Sequence, residues 1–262
     1  MPPGVHPPPA SRPFAFVFPL RLPYQSATMF RNRSALLSLL PAAVLGVALA
    51  LAGSVAQLPS AAAEELAPLP VKPPAPTLKG TPNDLPSGPN VEPPPEKPRP
   101  PFLAPKGVVN VAAGKKVTSS VKPFTGTLSQ VTDGQKEPED EHVVEMRRGK
   151  QWVQIDLGEP AKIHAIVIWH DHRYLQLFHD VIVQVADDPD FTQNVQTIYN
   201  NDVDNSAGLG IGTDKEYFET YQGRTFDAKG VVSRYLRCYT AGSSLSAINA
   251  CQEIEVYALP AK

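Results

Sequence analysis

Residues 151–172 read QWVQIDLGEPAKIHAIVIWHDH, and this stretch decides the fold class. Residues 152–157 alternate between apolar and polar side chains, which is typical of a half-buried β-strand. Residues 163–169 are apolar on both faces apart from one histidine, so they indicate a second strand that is covered on both sides. The Gly158-Glu159-Pro160 break separates the two strands. Residues 170–174 (HDHRY) are polar and aromatic where a loop is expected to begin, and a loop on a rigid sheet is a common binding site.

Proline is distributed unevenly along the chain. Of the 30 prolines, 25 fall in residues 1–106 and 5 in residues 107–262. The first part is too rich in proline to form a packed domain, so a disordered Pro-rich N-terminal region is predicted. The folding unit is expected to occupy residues 107–262, which are enough for a single domain with one core.

The N-terminal region divides into three parts. Residues 1–28 match neither a domain nor a targeting signal, and we interpret them as an over-called start. Residues 29–63 are typical of a signal peptide, with arginines, an apolar run and small residues in order. A signal anchor is the alternative, because about twenty apolar residues can span a bilayer. Residues 64–106 favour polyproline II and are interpreted as a Pro-rich linker.

These segments predict a protein that is secreted, periplasmic or at the cell surface. Contact with a membrane is expected only if the signal remains uncleaved. The folding unit carries 15 Lys and Arg against 21 Asp and Glu, a net charge of −6. An acidic domain without a basic stripe argues against nucleic acid as a partner. Its carboxylates could instead bind a hard cation such as calcium.

Cys238 and Cys251 are the two cysteines of the chain. In an oxidising compartment, a pair this close in sequence could form one disulfide. The alternative is two buried thiols at strand positions. The sequence leaves both possibilities open.

The pattern from Val108 onward is all-β. Several short strands with turns between them favour a sandwich or a barrel. One helical turn is expected around residues 127–130. The candidate strands lie near 116–120, 151–157, 162–170, 180–186, 195–200, 216–220, 232–239 and 252–258.

Five short motifs follow one another along residues 108–259. They are NVAxGKxVTSS (110–120), TDG (132–134), WVQIDLG (152–158), RYLR (234–237) and EIEVY (253–257). In this order they resemble the discoidin domain, also called the coagulation-factor type C domain, of the galactose-binding-like superfamily. The middle of the chain is similar to a bacterial exported subtype. The resemblance implies an eight-stranded jelly-roll β-sandwich without catalytic machinery, whose loops at one end bind carbohydrate, lipid headgroups or protein.

The resemblance also implies a structural calcium ion, because many sugar-binding relatives hold one. Their Asp-Gly loop and last strand each supply a carboxylate, which correspond here to Asp133 and Glu253. Calcium prefers six to eight oxygen ligands, and loops supply carbonyls easily. The alternative is that Asp133 caps the turn at Gly134 and Glu253 is a solvated strand residue.

The expected ligand site lies on two loops. Tyr174 could stack on a pyranose ring, while the imidazoles and the guanidinium nearby could donate to hydroxyls; Trp169 is expected in the core. Residues 202–206 place oxygen-bearing side chains at alternate positions, but Ala207 and Thr213 depart from the EF-hand pattern. That loop is therefore expected to be a polar connection or a calcium site of another type. The candidate ligand residues are His170, His172, Arg173, Tyr174, Asn201 and Asp202.

Three functions are compatible with these observations. The leading interpretation is a secreted, non-catalytic module that binds a carbohydrate or a cell-surface glycan. The second is an interaction module that binds protein in an exported assembly. The third is a metal-dependent enzyme that uses His170 and His172, although an HxH pair supplies only two of the ligands zinc requires. The sequence contains no GxSxG, HExxH or P-loop pattern.

Overall fold

The computed structural model describes residues 64–76, 78 and 83–260. The predicted over-called start and the predicted signal segment, residues 1–63, lie outside the described residues. No helix in the described part is long and apolar enough to cross a membrane. The strands are β1 (Leu66–Pro68), β2 (Leu103–Pro105), β3 (Val109–Asn110), β4 (Lys116–Ser119), β5 (Val144–Met146), β6 (Gln151–His170), β7 (Ile182–Ala186), β8 (Gln196–Asn200), β9 (Arg224–Thr240) and β10 (Asn249–Ala258). Two short 3₁₀ helices span Leu128–Thr132 and Asp140–His142.

Two long strands, β6 and β9, form the centre of the fold. They pair antiparallel from Gln151 with Thr240 to Ile168 with Arg224, with a break in register after Asp156. The break coincides with the Gly158-Glu159-Pro160 segment predicted to divide two strands. Gly158 has a φ of +88°, which favours glycine, and proline cannot donate to a strand ladder. The two predicted strands are therefore the two halves of β6.

The paired strands β6 and β9 form a two-stranded ribbon. The two halves of this ribbon belong to two layers. In one layer, the first half of β6 pairs with β4, and the last part of β9 pairs with β7, which continues to β8. In the other layer, the second half of β6 pairs with β10, which also pairs with β3 and β5. The structure thus confirms the all-β class, with eight strands, β3 to β10, in the larger assembly.

The core lies between the two layers. Val153, Ile155 and Leu236 from one layer and Ile168 and Ile254 from the other are at most 3% exposed. Full burial of such a side chain contributes about 1.5–3 kcal/mol. The alternating pattern of residues 152–157 and the apolar run after residue 162 predicted Val153, Ile155 and Ile168, while Leu236 and Ile254 lie in the candidate strands 232–239 and 252–258.

The ribbon folds back so that both of its ends meet. His170, at the end of β6, has its Nε2 atom 3.9 Å from Sγ of Cys238 near the end of β9. β4 and β7 pair with one end of the ribbon and β10 pairs with the other, which brings the longer connections to this side of the sandwich. We call this side the loop end; it carries residues 120–143, 171–181, 201–223 and 241–248.

Most of the other predicted elements are present. Strands occur at seven of the eight predicted positions, and the predicted helical turn is the 3₁₀ helix Leu128–Thr132. The strand predicted at 216–220 is wrong. Glu216 and Phe218 make only isolated bridges, to Val91 and Leu177, so no continuous ladder forms there.

The Pro-rich segment packs on the sandwich, which differs from the free linker expected from its composition. Strands β1 and β2 pair with each other. Leu69 and Ala104 form an apolar cluster with Val167, Trp169 and Tyr257 on the outer face of the second layer. The reason is that the few large apolar side chains of this segment meet the apolar outer face of β6. Trp169 is fully buried, as expected.

Candidate functional site

His170 is a buried structural residue. It is 1% exposed, its Nδ1 atom lies 2.7 Å from Oε1 of Glu219, and its ring stacks on Phe178 with centroids 4.6 Å apart. Burial alone would lower the pKa of His170, but the Glu219 carboxylate outweighs it and raises the pKa to about 10. The expectation that His170 is an exposed ligand residue is therefore corrected.

His172 is also buried and cannot be a freely exposed ligand. It is 1% exposed, and its Nε2 atom lies 2.8 Å from the carbonyl oxygen of Lys136, so this nitrogen carries the proton and donates it. In the described chain, groups of three or more close metal-ligating side chains are Glu139–Glu141–His142 and Asp180–Asp202–Asp204. Neither group includes His170 or His172, so nothing here supports the HxH metal site.

Tyr174 is the exposed residue of the predicted cluster, and the Arg173 side chain beside it is 18% exposed. The Arg173 guanidinium donates to both carboxylate oxygens of Asp171, at 2.8 and 2.9 Å, and also contacts Asp140. The Asp171 carboxylate raises the pKa of Arg173, which is fully charged. The Tyr174 side chain is 57% exposed, and the guanidinium carbon lies 5.9 Å from its ring centroid. The loop end thus presents a fixed cation beside an accessible aromatic ring.

Two further exposed apolar side chains lie on neighbouring loops. Phe124 is 57% exposed, and its backbone donates to Glu145, whose carboxylate lies 4.0 Å from Arg173. Leu245 is 63% exposed, and the residue before it donates to the Leu177 carbonyl. Sequence reasoning missed both, because an isolated apolar residue in a loop carries no periodic signal.

Asn201 and Asp202 support the loop and do not face a ligand site shared with Tyr174. Asn201 accepts a 2.7 Å hydrogen bond from the Val181 amide, and it is 4% exposed. Asp202 is fully buried and accepts 2.9 Å bonds from the amides of Ser206 and Ala207. The cavity beside Asn201 is lined by residues 90, 179–180, 203–204, 206 and 216 and not by residues 170–174. The expectation that these two loops form one site is corrected.

The predicted calcium residues lie in different environments. Glu253 is fully buried; its Oε2 atom accepts a hydrogen bond from the Gly134 amide at 3.0 Å, while Oε1 has no hydrogen-bond partner among the described residues. Burial raises the pKa of Glu253 to about 9. Asp133 is exposed and accepts the Gln135 amide at 2.8 Å, as a turn residue does. The reading of Glu253 as a solvated residue is therefore wrong, and its free buried oxygen is the feature that suits a cation.

The two cysteines are buried free thiols. Cys251 Sγ lies 3.9 Å from the carbonyl oxygen of Trp169, and burial raises the pKa of this thiol. Both side chains belong to the main core. The described structure thus corresponds to the second alternative and not to the disulfide.

A cavity of about 260 Å³ lies where the Pro-rich segment meets the loop end. His172 and Leu175 line it from one loop, and residues 220–222 line it from another. The rest of its wall belongs to the Pro-rich segment, chiefly residues 94–98. Because that segment was expected to be a linker, no site was predicted here.

Comparison with solved structures found carbohydrate-binding modules. One is the family 32 carbohydrate-binding module of AlyQ in complex with 4,5-unsaturated mannuronic acid (15% identity, 54% of this chain, 92% of that chain, TM-score 0.40). Another is the Streptococcus pneumoniae fucose-binding module SpX-3 (18%, 58%, 99%, 0.41). A third is chitosan-binding module 1 of a Paenibacillus sp. IK-5 chitosanase/glucanase (18%, 57%, 98%, 0.38). No protein-family model and no curated protein matches the chain.

Proposed function

We propose that the protein is a non-catalytic module that binds carbohydrate. The observation that carries the proposal is the Arg173–Tyr174 pair at the loop end, with its accessible ring beside a guanidinium. An aromatic face packs against the apolar C–H groups of a sugar ring, while a guanidinium donates hydrogen bonds to hydroxyl groups. The pair combines both kinds of contact.

The geometry also supplies preorganisation. Arg173 is held by Asp171, the second residue before it, and by Asp140 of the neighbouring 3₁₀ helix. A side chain that is already fixed loses less conformational entropy when a ligand binds. The fixed guanidinium of Arg173 is therefore suited to hold a polar ligand such as a sugar in a defined orientation.

A structural calcium ion near Glu253 is part of the proposal. The free oxygen of Glu253 and the Asp133 carboxylate would supply side-chain ligands, and turn carbonyls would supply others. Calcium would replace the proton on the buried Glu253 carboxyl group and fix the turn at Gly134. Lys136 is close by, but its ammonium group is paired with Glu255 at 2.5 Å.

Protein binding is the second candidate function, and the exposed Phe124 and Leu245 favour it. Apolar side chains on adjoining loops could pack against a protein partner as well as a sugar. In either case we propose that the module acts outside the cytoplasm. The order of basic, apolar and small residues in residues 29–63 supports that location.

Glycan-array binding of the full chain tests the proposal. Specific binding that is weakened in Tyr174→Ala is the expected result. Binding of no glycan, together with recovery of a defined protein partner that requires Phe124 or Leu245, would replace the carbohydrate function by the second candidate.

A further inference from the structure

The Pro-rich segment is anchored to the loop end on one side of residues 93–98. The Glu92 carboxylate forms two hydrogen bonds with the Arg224 guanidinium, at 2.6 and 2.8 Å. The Glu92 amide donates to the Glu216 carbonyl at 2.8 Å, and the Glu216 amide donates to Asn90 at 2.9 Å. This anchor combines a bidentate ion pair with backbone hydrogen bonds, which fixes direction as well as position.

A second anchor follows residues 93–98. The Arg99 guanidinium donates to the carbonyl of Gly223 at 2.8 Å and to that of Phe218 at 3.3 Å. The Arg99 amide donates to the side-chain oxygen of Gln222 at 2.9 Å. Residues 93–98 therefore form a short loop that is held at both ends by the same stretch of the sandwich, residues 216–224.

This loop, PPPEKP, is stiff and carries two charges. Four of its six residues are prolines, which restrict the backbone between the anchors. Glu96 and Lys97 are exposed, and both line the 260 Å³ cavity opposite His172 and Leu175. Within the described residues, neither side chain has an ion-pair or hydrogen-bond partner, so both are available to a ligand.

We propose that this cavity is a composite subsite for a neutral sugar and that Glu96 and Lys97 determine its specificity. The proposal rests on the proposed carbohydrate function and adds the Pro-rich segment to the site. The carboxylate accepts hydrogen bonds from sugar hydroxyls, and the ammonium group donates to them. Since the two charges cancel, the lining has no excess charge to attract an acidic sugar. Leu175 and the prolines supply an apolar wall for the ring.

The test uses the full chain and four single variants. Binding of D-galactose, D-glucose, L-fucose and the acidic D-glucuronate is measured by titration calorimetry for Glu96→Gln and Lys97→Gln. The matched controls are Glu64→Gln and Lys72→Gln, which remove exposed charges of the same segment away from the cavity. We expect each cavity variant to bind its neutral sugar about tenfold more weakly, because a hydrogen bond to a charged group is replaced by a weaker one to a neutral amide. The controls and all melting temperatures should be unchanged.

The possible outcomes separate the two proposals. If the wild-type chain binds a neutral sugar and both cavity variants bind it equally well, the composite subsite is overturned while the proposed function stands. If D-glucuronate is the preferred ligand and only Lys97→Gln weakens it, the neutral-sugar specificity is overturned. If the wild-type chain binds none of these sugars and no glycan on an array, both proposals fail.

Discussion

The imidazole of His170 and the carboxylate of Glu219 form a buried ion pair, with 2.7 Å between Nδ1 and Oε1. The side chains are 2% and 0% exposed, so neither group can be hydrated. A buried charge without its partner is strongly unfavourable, and each group therefore depends on the other. The pair fixes the end of β6, from which the loop with Arg173 and Tyr174 departs.

Removing one partner of this pair should destabilise the protein. We expect Glu219→Gln to lower the free energy of unfolding by about 3 kcal/mol, because it leaves His170 buried without a counter-ion. Glu216→Gln is the matched control, since the Glu216–His179 pair has side chains that are 20% and 41% exposed. Exposed pairs contribute about 0–1 kcal/mol. Urea unfolding at pH 7 measures both, and equal losses would show that the buried pair has no special role.

The same pair predicts a dependence of stability on pH. The pKa of His170 is about 10 in the folded protein and about 6.5 in an unfolded chain. Its raised value stabilises the fold fully below pH 6.5, and this contribution is lost as the pH rises through 10. The difference in unfolding free energy between the wild type and His170→Gln should therefore shrink from pH 6 to pH 10. A difference that stays constant in urea titrations across this range would contradict the assignment.

Local patterns predicted the scaffold but not the burial of its polar residues. The alternation of residues 152–157 is visible within six positions, and it identified the first half of β6. The partner of His170, in contrast, is 49 residues away in sequence, so only the fold brings Glu219 to it. The anchoring of Arg99 depends on carbonyl groups more than 110 residues away, which composition cannot reveal. Distant pairing, not local preference, decided these positions.

Replacing Tyr174 tests the exposed aromatic surface. We expect Tyr174→Ala to weaken glycan binding roughly two- to tenfold through loss of ring stacking, which is worth roughly 0.5–1.5 kcal/mol. Its stability should change by less than about 0.5 kcal/mol, because the side chain is largely exposed. Val232→Ala is the control. Val232 is 59% exposed and lies in β9 near the break in register with β6, away from the loop end. Wild-type affinity in Tyr174→Ala would remove this residue from the site.

Calcium should raise the melting temperature if Glu253 is a ligand. An ion that binds only the folded state stabilises it by about 2.7 kcal/mol at a hundred times its Kd. We expect the wild type to melt higher in calcium than in chelator, and Glu253→Gln to remove the difference. Glutamine suits this position, since Glu253 has a pKa of about 9 and is neutral at pH 7 without a cation. Glu159→Gln is the control, because Glu159 is an exposed carboxylate in the Gly158-Glu159-Pro160 segment of β6. An unchanged melting temperature of the wild type in calcium would count against a calcium site.

Amide hydrogen exchange distinguishes a docked Pro-rich segment from a free spacer. The amides of Leu69, Glu92 and Arg99 donate to Phe102, Glu216 and Gln222, respectively, so all three should exchange slowly in the wild type. Glu92→Gln removes the charge that binds Arg224, and we expect it to speed exchange at positions 92 and 99 while leaving Leu69 protected. Lys106→Gln is the control, because the Lys106–Glu65 pair is 65% and 72% exposed and contributes little. Free-chain exchange rates at all three amides of the wild type would mean that the segment is not docked in solution, and Glu96 and Lys97 would then have no fixed place beside the cavity.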